Sequence, residues 1–384
     1  MAIKNNERLQ CTVSAVASAG LGAATVSTAV PAYTTFGAGD DGFGFNCLWI
    51  EGTAWEVRFN CVYTHSGTSL ARGTLIASST GSAIAFTSAV IISNTPAAYF
   101  GNYAQTDFEA SIPGGRLTLT SGTPVTTTDV TGASSIYYAP WVTDVISLWD
   151  ANWWRPISFT QTTLALGTLS SGAVYDVFAY LSGGALALES LAWANSTTRA
   201  TAVTIQDGRY CKSGDKTRLL LGTFLTTSTT TTEDSQTKRF LINVYNAVPR
   251  RLFKASATSS WTYSGTTKRY ADNDSSNKVE LISSLGTATL DLQMYGMGMS
   301  LGADFFSQGI GEDSTSTYSS NSLNYQAGGG GTYLIPLAAM LKYTPSLGYH
   351  YYAWLEATGS AFGANFYSLN SGIRQAGLNG FIPG

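Results

Sequence analysis

The strongest constraint on the fold is a two-residue alternation of apolar side chains between residues 170 and 254. Four of these side chains share one face of an extended segment: Tyr175, Val177, Ala179 and Leu181. The pair Gly183-Gly184 follows, and residues 186–193 return with the same period. Alternation of this kind predicts strands, and a Gly-Gly pair between two strands predicts a tight hairpin.

The rest of the chain favours the same class of structure. No segment shows a helical period long enough to organise a domain. Apolar residues make up 44% of the 384 residues and aromatic residues 12%, so the chain has ample core and lacks the composition of a disordered protein. We therefore predict an all-β protein of two to three β-sandwich or jelly-roll-like modules with few or no long helices.

Clusters of turn-forming residues divide the chain into three predicted modules. Pro113-Gly114-Gly115 is typical of a domain boundary. We predict an N-terminal arm and β-module in residues 1–108, a central β-sandwich module in residues 109–254 and a C-terminal jelly-roll-like module in residues 255–384. In the last module, apolar and polar side chains alternate from Leu290 to Tyr295, which predicts a half-exposed strand.

Charge and hydropathy exclude two kinds of partner. Only 12% of the residues are charged and the formal net charge is -3, so we predict no nucleic-acid binding. Serine and threonine interrupt the small apolar residues of segment 11–30, which is therefore not expected to be a secretory signal. No run reaches the roughly 18 to 20 apolar residues of a membrane span, so we predict a soluble chain without membrane insertion.

The four cysteines, Cys11, Cys47, Cys61 and Cys211, are too few and too scattered for a disulfide scaffold. Cys47 and Cys61 lie on the two arms of a predicted hairpin. With a two-residue turn at Gly52-Thr53, Cys47 faces Arg58 rather than Cys61, so a direct bridge needs a bulge or a longer loop. We expect buried thiols; the alternative is a disulfide between subunits.

Several segments resemble modules of tailed-bacteriophage virion proteins. Residues 116–141, 175–224 and 240–253 (FLINVYNAVPRRLF) resemble a module of proteins described as tail fibre, head fibre or minor structural proteins. Residues 40–79 are similar to a second phage module, which is often N-terminal. Residues 347–367 resemble the usual C-terminal end of the same proteins. No catalytic residue is carried over by this resemblance.

The resemblance implies a structural component of a tailed-phage virion, synthesised in the cytoplasm of the host bacterium. We expect a homotrimeric fibre or spike that attaches to other virion proteins of the head, portal or tail. Its later modules are expected to engage a glycan or protein on the host surface. Two alternatives remain: a capsid or tail decoration protein that binds no receptor, and a polysaccharide depolymerase.

Tryptophans cluster in residues 141–154, where Trp149, Trp153 and Trp154 are the candidate contact residues. A tryptophan joins a large apolar face to one N–H donor, so an exposed one stacks on sugar rings or fills a pocket in a neighbouring subunit. Packing in the core or at a subunit interface is the alternative to glycan contact for all three.

Catalytic motifs are absent from the sequence. There is no nucleophile elbow, no paired zinc-binding histidine motif and no phosphate loop, so we predict no enzymatic activity, no cofactor and no metal. Asp144 and Asp150 are the best pair of carboxylates for glycan cleavage. Residues 272–277 carry oxygen ligands but lack the glycine and glutamate of an EF-hand. His350 is expected to be packed among aromatic residues.

Overall fold

A computed structural model confirms the all-β prediction. It describes ten ranges of the chain: residues 10–13, 23–29, 35–86, 90–94, 113–151, 154–302, 304–328, 333–359, 362–368 and 374–384. Within these ranges the helical segments are three short 3-10 helices: Ala38–Asp40, His65–Gly67 and Ala271–Asn273. None of the described helices is long and apolar enough to cross a membrane. The chain divides into two compact units, Met1–Thr106 and Asp107–Gly384.

The first unit is built from seven described strands. They are β1 (Gln10–Val13), β2 (Ala24–Ala29), β3 (Gly44–Glu51), β4 (Ala54–Thr64), β5 (Ser69–Leu70), β6 (Thr74–Ser78) and β7 (Val90–Asn94). They pair in the order β3-β7-β1-β2-β5-β4-β6, and β3 also pairs with β4. The additional pairing closes six of these strands into a ring, so their inward side chains share one core.

The hairpin of β3 and β4 has the predicted register. Glu51 pairs with Ala54 around the turn, and Cys47 pairs with Arg58. Cys47 and Cys61 are both fully buried and form no disulfide. Cys211, in the second unit, is also a buried thiol, and burial raises its pKa to about 11. The expectation of buried thiols is confirmed for these three cysteines, whereas the side chain of Cys11 lies outside the described residues.

A buried ion network lies in the core of the first unit. Glu56 is fully buried and accepts a hydrogen bond from Arg58 Nε at 2.7 Å, and Arg72 and the Ile84 N–H also donate to it. Burial alone raises the pKa of Glu56, but these hydrogen bonds outweigh it and hold the pKa below its usual value. The Arg72 guanidinium lies 5.5 Å from the Trp49 ring centre. Removing the carboxylate would leave buried arginines without their anion, at a cost of about 3 to 5 kcal/mol.

The first half of the second unit contains fourteen described strands. They are β8 (Gly115–Thr118), β9 (Val130–Ala133), β10 (Ser135–Pro140), β11 (Val145–Trp149), β12 (Trp154–Ser158), β13 (Thr162–Ala165), β14 (Val174–Ser182), β15 (Ala185–Ala192), β16 (Val203–Gln206), β17 (Arg209–Lys212), β18 (Asp215–Leu225), β19 (Thr232–Asp234), β20 (Lys238–Arg239) and β21 (Leu241–Asn243).

These strands include the predicted hairpin. β14 pairs with β15 from Tyr175 to Ser182, and both turn residues, Gly183 and Gly184, have positive φ angles (57° and 84°), as a two-residue hairpin turn requires. The sheet β15-β14-β18-β17-β16 and the smaller sheets β13-β10-β8 and β11-β12 all contribute side chains to one core. Leu148, Val177 and Leu219 are members of that core.

The second half of this unit contains twelve described strands. They are β22 (Pro249–Ala255), β23 (Ser260–Tyr263), β24 (Arg269–Tyr270), β25 (Lys278–Ser283), β26 (Leu290–Ser300), β27 (Phe305–Glu312), β28 (Ser322–Asn324), β29 (Gln326–Gly328), β30 (Ile335–Tyr343), β31 (Gly348–Thr358), β32 (Ala364–Tyr367) and β33 (Gly377–Pro383).

Two large sheets face each other in this half, and one of them also includes β9, β19 and β20 from the first half. One has the order β22-β33-β26-β30-β28, with β32 on β26 and β23 on β32; the other has the order β29-β27-β31-β25-β20-β19-β9. Leu292 from the first sheet and Leu281 and Trp354 from the second share one core, which is the arrangement of a β-sandwich. β26 alternates between buried and more exposed residues along its whole length, which confirms the half-exposed strand.

Strand pairing runs through the position of the predicted boundary at residue 254. β22 pairs along its whole length with β33, from Pro249 opposite Pro383 to Ala255 opposite Gly377. One core reaches from Leu117 to Leu241 and another from Leu252 to Ile382, and a further cluster joins Phe240 to Ile282 across this position. The division of the chain into three modules stays a prediction.

Candidate functional site

The structure brings two of the predicted tryptophans together. Trp149 ends β11 and Trp154 begins β12, and the two residues are paired across the hairpin. Their ring centres lie 5.6 Å apart at an interplanar angle of 62°, an edge-to-face contact. Both side chains are half-buried, and Trp154 packs against the central core. Trp153 lies outside the described residues.

Polar side chains of the same unit surround this tryptophan pair. Asp207, in the turn between β16 and β17, accepts hydrogen bonds from Trp154 Nε1 at 3.0 Å and from Lys216 Nζ at 2.7 Å. The Lys216 ammonium lies 4.8 Å from the Trp149 ring centre, and the Arg209 guanidinium lies 4.4 Å from that of Trp154. The chain therefore already supplies cations to both rings. The role of Trp149, Trp153 and Trp154 in receptor or subunit contact stays a prediction.

The candidate carboxylates for glycan cleavage are separated by a whole strand. Asp144 precedes β11 and Asp150 follows it. Six residues of extended chain place their Cα atoms roughly 20 Å apart. The two carboxylates of a glycoside hydrolase lie roughly 5 to 10 Å apart, so the structure does not assemble this pair into a hydrolytic site.

A groove of about 750 Å³ lies in the C-terminal half of the second unit, and sequence reasoning did not identify it. Its walls carry Tyr295 and Met297 of β26, Tyr325 beside β29, Tyr367 of β32 and Arg374. Tyr295 is 49% exposed and Tyr325 is 66% exposed. A volume of this size falls in the range of small-molecule sites, about 300 to 1,000 Å³.

The strand register explains how these side chains meet. β26 pairs on one edge with β33 as far as Tyr295 and with β32 from Met297 onward. Met297 is directly opposite Tyr367. Gly296, at the change of partner, is buried and lines the groove, and a Cβ atom there would collide with the Gln308 side chain beneath it. Glycine at this position therefore leaves room for the buried Gln308 side chain on the inner face of β26, while Tyr295 and Met297 lie on the face that lines the groove.

Arg374 gives the groove a positive charge. Its guanidinium lies 4.9 Å from the Tyr367 ring centre, and its Nε atom is buried without a hydrogen-bond partner in the described structure. Among the described lining residues, Arg374 is the only charged one; the other polar side chains include the amides of Gln326 and Gln375. The groove therefore combines aromatic faces, amide groups and one cation.

A second groove, of about 740 Å³, differs in that its charges are already paired. Lys278 Nζ lies 3.0 Å from Glu280 Oε1, and Lys238 Nζ lies 3.1 Å from Glu233 Oε2. Tyr349 donates its hydroxyl hydrogen to Glu280, and burial together with this carboxylate raises the pKa of Tyr349. Internal ion pairs thus occupy the groups that would otherwise bind a ligand.

Two titratable groups of the sandwich lie outside both grooves. Burial raises the pKa of Glu356 to about 7, although Trp261 Nε1 and Arg269 Nε both donate to its carboxylate. His350 is only 5% exposed, which confirms that it is packed, and its Nδ1 lies 2.7 Å from Asp313 Oδ2. Burial opposes protonation of His350, but its hydrogen bonds outweigh burial and raise the pKa.

The described part of the chain contains no group of three or more His, Cys, Asp or Glu residues arranged to hold a metal. In the segment 272–277, Asp274 accepts hydrogen bonds from the backbone and hydroxyl of Ser276, and Asn277 Nδ2 donates to the Ala271 carbonyl. These contacts are those of a turn.

Comparison with known proteins assigns no family to the chain. No protein-family model matches it, and no curated protein matches it. Two solved structures give weak similarity. The insecticidal delta-endotoxin Cry8Ea1 of Bacillus thuringiensis has 6% identity and a TM-score of 0.20, covering 68% of this chain and 51% of that chain. A Cry1Da tryptic core variant from Bacillus thuringiensis has 9% identity and a TM-score of 0.15, covering 66% and 48%. The chain thus spans about half the length of these toxins.

Proposed function

We propose that this chain is a non-enzymatic structural component of a tailed-phage virion, a trimeric fibre or spike that attaches to the particle and binds the host surface. The resemblance of its segments to modules of virion fibre and minor structural proteins supports the viral setting. The aromatic groove of the C-terminal sandwich supports a binding role, and it is the observation that carries this proposal.

Carbohydrate is the ligand class that suits the groove. A sugar ring has an apolar face of C–H groups and a rim of hydroxyls. Tyr295 and Tyr325 offer exposed aromatic faces of matching character, Tyr367 lines the same groove with Arg374 over its ring, and the amides of Gln326 and Gln375 offer hydrogen bonds. We therefore place glycan contact in this groove, on the second unit, rather than on the tryptophan hairpin.

Trimerisation would strengthen such contacts. One groove that binds a sugar weakly gains avidity when three copies face the same surface, because the second and third contacts become intramolecular. In this proposal the N-terminal module contacts other virion proteins of the head, portal or tail, and the C-terminal module points outward.

Imaging of the intact virion by cryo-electron microscopy, with this chain labelled, tests the proposal. We expect a small number of trimers at the tail, portal or collar. Hundreds of copies arrayed on the capsid lattice would contradict the fibre function and favour decoration of the shell. A chain that is absent from the purified virion would overturn both.

A further inference from the structure

We propose that the groove is specific for an acidic saccharide, whose carboxylate or phosphate is bound by Arg374. This inference rests on the proposed glycan-binding function and adds the charge of the ligand. It follows from the state of Arg374, from the electrostatics of the groove lining and from the position of the aromatic rings.

Arg374 differs from five arginines of the second unit, each of which pairs with a carboxylate, because no carboxylate of the described structure neutralises it. Arg199 pairs with Asp176 at 2.6 Å, and Arg218 pairs with Glu189 at 2.6 Å. Within the described residues Arg374 has no such ion pair, and its Nε–H is buried without an acceptor. A buried donor without a partner is unfavourable, and an oxygen atom of a bound ligand would remove that cost.

The contact with Tyr367 orients the Arg374 guanidinium so that it can bind an anion. The guanidinium lies over the ring at 4.9 Å, an interaction that holds the group in place without using its N–H donors. A guanidinium held in this way presents a planar set of donors, which matches the two oxygens of a carboxylate or a phosphate.

The lining of the groove favours a ligand that carries a single negative charge. No carboxylate is present among its described lining residues, so an anionic ligand meets no repulsion there. The apolar remainder of the lining, including Met297 and the rings of Tyr295 and Tyr325, matches the faces of sugar rings rather than further charges. A saccharide that places one acidic group beside Arg374 therefore fits this lining better than a polyanion such as a nucleic acid.

The test uses the full-length protein on an array of saccharides in matched pairs. Each pair has an acidic member and its neutral counterpart: a uronic acid beside its carboxyl-reduced form, and a phosphorylated sugar beside its dephosphorylated form. Three variants are compared with the wild type. Arg374→Gln removes the charge, Arg374→Lys keeps it, and Arg155→Gln alters an exposed arginine on β12 as a control. Near-ultraviolet circular dichroism checks that each variant is folded.

We expect the wild type to prefer the acidic member of at least one pair by about tenfold or more. Arg374→Gln should lose this preference while keeping its affinity for the neutral member, Arg374→Lys should keep part of it, and Arg155→Gln should behave as the wild type. The pair that responds distinguishes carboxylate from phosphate.

Four results would overturn the inference. Equal binding of both members of every pair, or an acidic preference that survives in Arg374→Gln, contradicts the role of Arg374 and leaves the glycan-binding function intact. Binding to no saccharide contradicts the glycan-binding function as well. A change of oligomeric state in Arg374→Gln, measured by analytical ultracentrifugation, would identify the groove as a contact between copies of this chain.

Discussion

Two aromatic clusters lie in the second unit, and they differ in what surrounds their rings. At the tryptophan hairpin, Lys216 and Arg209 lie over the rings of Trp149 and Trp154. In the C-terminal groove, Tyr295 and Tyr325 remain about half exposed or more beside a volume of about 750 Å³. Both rings of the first cluster have a cation of the same chain over them, whereas in the second cluster Arg374 lies over Tyr367 and the rings of Tyr295 and Tyr325 stay exposed to a ligand.

This difference shows why closeness in sequence is a poor guide to a binding site. Trp149 and Trp154 are close because a hairpin joins them, and side chains paired across a hairpin stabilise one another by direct contact. Tyr295 and Tyr367 are far apart in sequence and line the same groove because β32 pairs with the edge of β26. Sites that lie between distant segments are shaped by the fold as a whole, and a local cluster of aromatic residues more often stabilises local structure.

The largest effect on ligand affinity is expected from removing two aromatic side chains of the groove. Replacing Tyr295 and Tyr367 together by alanine should weaken glycan binding about 100-fold, because each ring contact contributes about 1 to 2 kcal/mol. Trp149→Ala is the matched control and should leave the affinity within about threefold of the wild type. Affinities measured by isothermal titration check this prediction. If Trp149→Ala weakens binding as much as the groove variant does, the tryptophan hairpin is the site.

The second effect concerns the free energy of unfolding, which should fall more when the tryptophan hairpin is altered than when the groove is altered. Trp154→Ala should lower the free energy of unfolding by about 2 kcal/mol, because its ring packs against the central core and its N–H bonds to Asp207. Tyr325→Ala should change the same quantity by less than about 0.5 kcal/mol. Urea denaturation provides both values, with the exposed Trp141→Ala as a control. Equal losses in Trp154→Ala and Tyr325→Ala would remove the distinction between the two clusters.

A smaller effect is expected from the cation over Trp149. Lys216→Met removes the ammonium 4.8 Å from the ring and its ion pair with Asp207, and should lower stability by about 0.5 to 1 kcal/mol. Lys342→Met is the matched control, because the Lys342 side chain is 72% exposed and pairs with Asp291 at 3.6 Å. Such an exposed pair contributes little. A destabilisation in Lys342→Met as large as that in Lys216→Met would contradict this interpretation.

The smallest effect is a pH dependence confined to the tryptophan hairpin. Hydrogen bonds from Lys216 and then from Trp154 lower the pKa of Asp207 below its usual value near 3.9. The contribution of Asp207 to stability is therefore complete above about pH 4 and is lost as the pH falls through its lowered pKa. Tryptophan fluorescence should show a transition in this acid range that is absent in Asp207→Asn and retained in Asp144→Asn. A transition that persists in Asp207→Asn would assign it to another group.

Local features of the fold could be predicted from the sequence. The Gly183-Gly184 hairpin, the pairing of Cys47 with Arg58 and the alternation along β26 each follow from periodicity and turn chemistry within one segment. The burial of Glu56 together with Arg58 could not be predicted in this way, because Arg72 completes their network from the loop between β5 and β6.

The groove could not be predicted from the sequence either, because it is formed by segments that are distant in sequence. The sequence placed Tyr295 on a half-exposed strand, but it gave no sign that β26 exchanges β33 for β32 at Gly296. The residues at this exchange, Tyr295 to Met297, line the groove together with Arg374, which lies between β32 and β33. The candidate tryptophans were recognised because they are neighbours in sequence, and two of them are indeed neighbours in the structure.

The most direct test of the central claim is competition for adsorption. Host cells are incubated with the purified full-length protein, and the adsorption rate of the phage that is proposed to carry this chain is then measured. We predict that the wild type blocks adsorption in proportion to its concentration, and that the variant with alanine at positions 295 and 367 does not. If the groove variant blocks adsorption as well as the wild type, or if neither protein has any effect, the groove is not the surface that contacts the host.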